Sequence, residues 1–142
     1  MRLLARREQS AGELLRKLVE RGYPEDIARQ VVTTLQDGGW QNDARYAEQL
    51  TRTRLRKGYG PLYIQHRLRQ EGVEAPVGEI LQEEGQDWDS LIAGVYRKKY
   101  GATAPGDANE RAKRARFLQG RGFTVEQIRR FLDNLKQREQ AD

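Results

Sequence analysis

The sequence predicts an all-α fold, an elongated tandem array of three three-helix repeats, and three observations carry that expectation. Leu18, Leu68 and Leu118 stand 50 residues apart, as do Gly22, Gly72 and Gly122, and an apolar residue follows each glycine: Tyr23, Val73 and Phe123. A fixed internal period of this kind is the mark of a stacked repeat architecture, in which each unit buries its face mainly against its neighbours. Apolar residues also recur at intervals of three to four, with no stretch of convincing strand alternation. Finally, 33% of residues are charged and the mean hydropathy is −0.92. A sphere needs more apolar volume than that, whereas thin helical layers need less. The shared unit is a helix ending in Leu-x-x-x-Gly-apolar followed by a second helix, and a preceding helix through Leu4, Tyr46 or Leu91 completes it. Four places before the leucines come Leu14, Ile64 and Arg114, so the third copy has lost one apolar position. The expected units are 1–40, 41–86 and 87–142.

In chain order, Arg2 to Glu8 suits a short first helix. Ser10 and Glu13 are spaced as a capping box, each side chain serving the other's free backbone N–H. Leu14, Leu15, Leu18 and Val19 form the expected buried stripe of the next helix, which Gly22 ends. Pro24, Glu25 and Asp26 open a helix carrying Ile27, Val31, Val32 and Leu35, with its acids at the positive end of the helix dipole. Asp37-Gly38-Gly39 stops it, and Trp40 is expected to fold back onto the core. Tyr46, Ala47, Leu50 and Leu55 mark the helix after Asn42. Gly58 and Gly60 break it, and Pro61 starts another, where its missing N–H is no loss. Tyr63, Ile64 and Leu68 lie in register there, and Gly72 is the expected stop. Ala75-Pro76 opens a helix through Val77, Ile80 and Leu81, and Glu83 to Asp87 turns. Trp88, Leu91, Ile92, Val95 and Tyr96 mark a helix ending in Arg97, Lys98 and Lys99. Gly101 to Asn109 reads as a loop, followed by helices over Glu110 to Arg121 and Val125 to Lys136, with Thr124 as the cap between them.

Composition excludes several classes of function. There is no cysteine, hence no disulfide, thiol nucleophile or Cys-based metal site. The N-terminus carries scattered charges and no continuous apolar core, unlike a signal peptide. No run approaches the roughly 18 apolar residues of a membrane span. The chain is expected to be soluble, cytoplasmic and monomeric, with no membrane contact. No phosphate-binding glycine loop, His/Cys cluster or nucleophile beside a base is present, so no enzyme activity, cofactor or metal is expected. His66 is a lone histidine on a polar face, and Glu83-Glu84 reads as a helix end rather than an acid/base pair.

The net charge of +5 and pI of 9.7 point to a polyanionic or acidic partner. The cations concentrate in the centre. Arg45, Arg52, Arg54, Arg56, Lys57, Arg67 and Arg69 stand against one acid, Glu48. Such a one-signed run differs from the alternating charges of a merely soluble helix. Arg52 and Arg56 share a helix face, with Arg54 and Lys57 on the neighbouring one. Arg67 and Arg69 point to opposite sides of theirs. Arginine predominates, which favours bidentate contact with carboxylate or phosphate. Tyr59 and Tyr63 are expected to pack the corner and the seam between repeats, with base stacking as the alternative. Trp40 and Trp88 read as core or seam residues.

Asp43-Ala44-Arg45-Tyr46-Ala47, then Arg54-Leu55-Arg56-Lys57-Gly58-Tyr59-Gly60-Pro61 with Ile64, Leu68 and Gly72, resembles the RecX family of recombination regulators. Ser10-Ala11-Gly12-Glu13-Leu14 with Lys17-Leu18 extends the resemblance upstream. Arg97-Lys98-Lys99-Tyr100-Gly101 and Lys113-Arg114-Ala115-Arg116-Phe117-Leu118 with Arg121-Gly122-Phe123 extend it downstream, so that it covers nearly the whole chain. Asn42 stands where the family more often has Asp, and Trp40 where Tyr is commoner. The resemblance implies tandem three-helix repeats and a non-enzymatic role in DNA repair, recombination and the SOS response. In that role the protein binds the RecA nucleoprotein filament and restrains its recombinase and ATPase activities, with direct contact to single-stranded DNA as a further expectation. The candidate contact residues are Arg45, Arg52, Arg54, Arg56, Lys57, Tyr59, Arg67, Arg69, Lys98, Lys99, Lys113, Arg116 and Arg121. The alternative is an autonomous, phosphate-driven DNA- or RNA-binding helical protein.

Overall fold

In a computed structural model, which describes residues 7–141, those residues form eight helices and no strand. They are α1 (Ala11–Glu20), α2 (Glu25–Asp37), α3 (Asp43–Arg56), α4 (Pro61–Gln70), α5 (Val77–Glu83), α6 (Trp88–Tyr100), α7 (Ala108–Gly120) and α8 (Val125–Ala141). The helix expected over Arg2 to Glu8 lies outside the described residues, apart from Arg7 and Glu8, which are not helical. The helices pack locally: α1 on α2, α3 on α4 and α5, α6 on α7 and α8. The molecule exposes 9411 Å², against about 7,500 Å² for a compact protein of this mass. That excess of surface is what an elongated array of thin layers carries.

The second and third repeats each have a core. Tyr46, Ala47, Leu55, Ile64, Leu68, Val73, Val77 and Leu81 make one. Ile92, Tyr96, Leu118, Phe123, Ile128 and Leu132 make the other. Trp88 and Leu91 pack against both, so the expected seam role of Trp88 holds. The position where the third copy lacks its apolar residue is filled by Arg114. Its guanidinium lies 4.7 Å from the Tyr100 ring centroid and donates to the Tyr96 hydroxyl at 2.6 Å and the Thr103 carbonyl at 3.0 Å. A cation thus takes the place of an aliphatic side chain by packing against aromatic rings.

The first repeat departs from expectation. Ala28 and Val32 are buried, but Leu14, Leu15 and Leu18 are only half-buried, and Val19, Ile27 and Val31 are exposed. Two described helices make a single inner face, and residues on the flanks of each stripe remain in water. Trp40 is 48% exposed rather than folded into a core, and lies against Gly38, where a Cβ would meet its ring at 3.1 Å. The capping box at α1 is half made. Ser10 Oγ accepts from the Glu13 N–H at 3.0 Å, but the Glu13 carboxylate is drawn to Arg7 at 2.7 Å. At α8 the box is complete: Gln127 N–H donates to Thr124 Oγ1, and Thr124 N–H to Gln127 Oε1. Asp107 caps α7, which therefore begins two residues before Glu110, and α8 runs on past Lys136 to Ala141.

Candidate functional site

The basic residues of the centre are carried to one seam by a glycine crossing. Gly60 N–H donates to the Arg121 carbonyl at 2.7 Å, and Leu62 N–H to the Gly122 carbonyl at 2.9 Å. A Cβ on Gly60 would lie 2.6 Å from the Gly122 carbonyl, and one on Gly122 would lie 2.5 Å from Tyr63 Cβ. Gly122 also sits at φ +97°, a region that disfavours side chains. The turn between α3 and α4 is thereby pressed, backbone to backbone, on the turn between α7 and α8. Tyr59 and Tyr63 stack beside this contact, with ring centroids 3.9 Å apart. They pack the corner, as expected.

This crossing places the end of α3 beside the last turn of α6 and the end of α7. Arg56, Lys57, Lys98, Lys99 and Arg121 converge around a groove of about 530 Å³ whose floor is Leu55, Leu91, Val95 and Phe117. Lys99 Nζ lies 4.1 Å from the Phe117 ring centroid, and the Arg121 guanidinium 5.2 Å from that of Tyr59. A second hollow of about 450 Å³ beside α3 and α4 is lined by Arg54, Arg56, Lys57 and Arg67 with Tyr46, and by Arg7 and the acid Glu8. There the Nε atoms of Arg54 and Arg67 are buried without a hydrogen-bond partner. Burial, reinforced by the charges of Glu13 and Glu71, pushes the Tyr46 phenol up to about 12, so it stays neutral. Among the described residues none of Arg54, Arg56, Lys57, Arg67, Lys98, Lys99 and Arg121 pairs with a carboxylate.

The other candidate residues stand apart from this set. Arg45 is engaged by Glu8 at 3.0 Å and by the Gly39 carbonyl at 2.8 Å. Arg52 is held by Glu84 at 2.5 Å and by Glu48 at 3.6 Å. The hydrogen bond and charge of Glu84 raise the pKa of Arg52 above its ordinary value. Arg69, Lys113 and Arg116 are exposed and line neither hollow. Sequence reasoning missed the groove floor, because Leu91 and Val95 read as core stripe. It also missed Gly94, an exposed helical glycine that lines the groove. The signal available was the pair Leu91 and Val95, four apart, flanked by the small Ser90 and Gly94.

The fold and this face define a tandem helical-repeat protein with a one-signed cationic groove between its second and third units. Residues 1–35, 42–79 and 87–132 match the first, second and third three-helix domains of RecX in turn. The chain is 43% identical over 141 residues to the regulatory protein RecX of Acidithiobacillus ferrooxidans, covering 99% of this chain and 91% of that one. It is 46% identical over 132 residues to that of Chromohalobacter salexigens, covering 91% and 85%. A crystal structure of a regulatory protein RecX superposes with a TM-score of 0.71 at 20% identity, covering 92% of this chain and 66% of that one. The chain belongs to the RecX family of regulatory proteins.

Proposed function

We propose that this protein binds the RecA–single-stranded DNA filament and restrains its recombinase and ATPase activities, acting as a monomer in the bacterial cytoplasm within DNA repair and the SOS response. The units 1–40, 41–86 and 87–142 serve as one continuous binding array without catalysis. The single observation that carries the reading is the convergence of five cations, Arg56, Lys57, Lys98, Lys99 and Arg121, on the seam between the second and third repeats, none of them paired with a carboxylate among the described residues. A filament of protein and DNA presents acids and phosphates in repeating register, and an elongated array can engage several of them at once, so that weak contacts accumulate. Arg56 and Lys57, which line both hollows, are the central contacts, with Arg54, Arg67, Lys98, Lys99 and Arg121 around them.

A second reading, phosphate-driven binding to nucleic acid without RecA, is favoured by the cluster of Arg54, Arg56, Lys57 and Arg67 around the hollow beside α3. One experiment separates the two. Binding of the wild type and of Arg56→Glu/Lys57→Glu is measured on RecA-coated and on naked single-stranded DNA across a salt series, together with RecA ATPase. The filament reading expects binding to coated strands to be much the tighter, and lost in the double variant along with ATPase restraint. Equal, steeply salt-dependent binding to both would favour the phosphate reading. A double variant that still restrains RecA as the wild type does would remove this face from the function.

A further inference from the structure

The groove at the seam is not a uniform basic patch. Its floor is aliphatic, built by Leu55 from α3 and by Leu91 and Val95 from α6, with the edge of Phe117 from α7. Its rim is cationic on every element that borders it: Arg56 and Lys57, Lys98 and Lys99, and Arg121. Cations in the last turn of a helix ordinarily answer its dipole. Here three such helix ends meet over one apolar floor, and no acid stands on the rim.

We infer that this groove is a docking site for an acidic amphipathic helix of a protein partner, with apolar side chains on the floor and carboxylates reaching the rim. The inference rests on the reading that this face contacts the filament, and it assigns this part of it to protein rather than to DNA. A nucleobase needs a free ring face or a hydrogen-bonding edge. The aliphatic floor offers neither, and the neighbouring rings are engaged: Tyr59 by Tyr63 and Arg121, Phe117 by Lys99 and Arg121. An amphipathic helix satisfies both layers at once, since it lays residues at i, i+4 and i+7 into an apolar trough and leaves its flanks for charge. Ser90 and Gly94, four apart on α6, are small enough to let its backbone approach.

Gly94 supplies the test. It is exposed and helical, and a Cβ there meets nothing within 4 Å, so a larger side chain enters the groove without disturbing the core. Fluorescence anisotropy is measured with two labelled probes: a helical peptide with leucines at i, i+4 and i+7 flanked by glutamates, and an oligothymidylate. Wild type and Gly94→Ala should bind the peptide, while Gly94→Leu should weaken it at least about tenfold, the loss expected when the centre of a contact is filled. Lys98→Glu should weaken it similarly. Gly94→Leu should leave oligothymidylate binding and the circular dichroism spectrum unchanged. The inference is overturned if the wild type does not take the peptide, if Gly94→Leu binds it as well as the wild type, or if the oligothymidylate loses affinity in parallel. Wild type that binds the RecA filament but not the peptide removes this inference and leaves the filament reading standing. Wild type that takes the peptide in the groove but ignores the filament does the reverse.

Discussion

The two seams of the array are made from different chemistry. Between the second and third repeats the contact is backbone on backbone at Gly60 and Gly122, with stacked tyrosines beside it and Trp88 shared by both cores. Between the first and second it is a polar latch. Glu71 accepts from Ser10 Oγ at 3.0 Å and from Arg16 at 2.9 and 3.0 Å. Asp43 accepts from the Ala11 N–H at 3.0 Å, and the Gln41 amide reaches the Gln9 carbonyl at 3.1 Å. The first leaves no room for a side chain at either glycine. The second rests on charged and polar groups, so it should weaken when Glu71 or Arg16 loses its charge. The groove lies at the first of these seams, and a groove formed between two units keeps its shape only if the units do not slide.

The largest effect should come from adding one methyl group to the glycine seam. A positive φ in a non-glycine residue and overfilling of a packed contact each cost about 1–3 kcal/mol, so Gly122→Ala should lose about 2–6 kcal/mol in urea unfolding. Gly72→Ala, at φ +69° with nothing within 4 Å of its Cβ, meets only the backbone cost and serves as the control. Equal losses at the two glycines would mean that the crossing does not join the repeats.

Next come the leucines of the repeat. Leu68 is fully buried, and Leu68→Ala should cost about 2–5 kcal/mol. Leu18 occupies the equivalent place in the polar-latched unit but is half-buried, so Leu18→Ala should cost only about 1 kcal/mol. Matching losses would show that the first unit has a core as deep as the second.

The smallest effect is the acid response of the latch. Burial works against the Glu71 carboxylate, but hydrogen bonds from Arg16 and Ser10 outweigh it and hold its pKa below the ordinary 4.5. A depressed carboxyl contributes stability that is complete above its unfolded pKa and is lost as pH falls through the folded one. Below about pH 4.5 the amide resonances of α1 and α2 should therefore shift before those of α7 and α8. Asp87, the cap of α6, is also lowered by the hydrogen bond from the Ser90 N–H. Glu71→Gln is accordingly the comparison that isolates the latch, and it should abolish the early shift. The same early shift in Glu71→Gln would assign the acid response elsewhere.

Helix type and order were legible because they are local. The Gly-terminated helices, Pro61 at its first turn and the stripe of Tyr46, Ala47 and Leu55 each act within one or two turns of chain, and the 50-residue echo of Leu68 at Leu118 marks two real core positions. The site was legible in part. Arg56, Lys57, Lys98, Lys99 and Arg121 were chosen from charge and resemblance, and all five border the groove. Local pattern could not decide which cations stay free. Arg52 and Arg56 look equivalent along the helix, yet Arg52 meets Glu84 from 32 residues away while Arg56 meets no carboxylate among the described residues. Nor could it decide that Leu18 would be half in water, that Trp40 would lie on Gly38, or that Gly60 and Gly122 would touch. Pairing and burial are properties of residues distant in sequence, and the periodicity of a single helix holds no information about what packs against it.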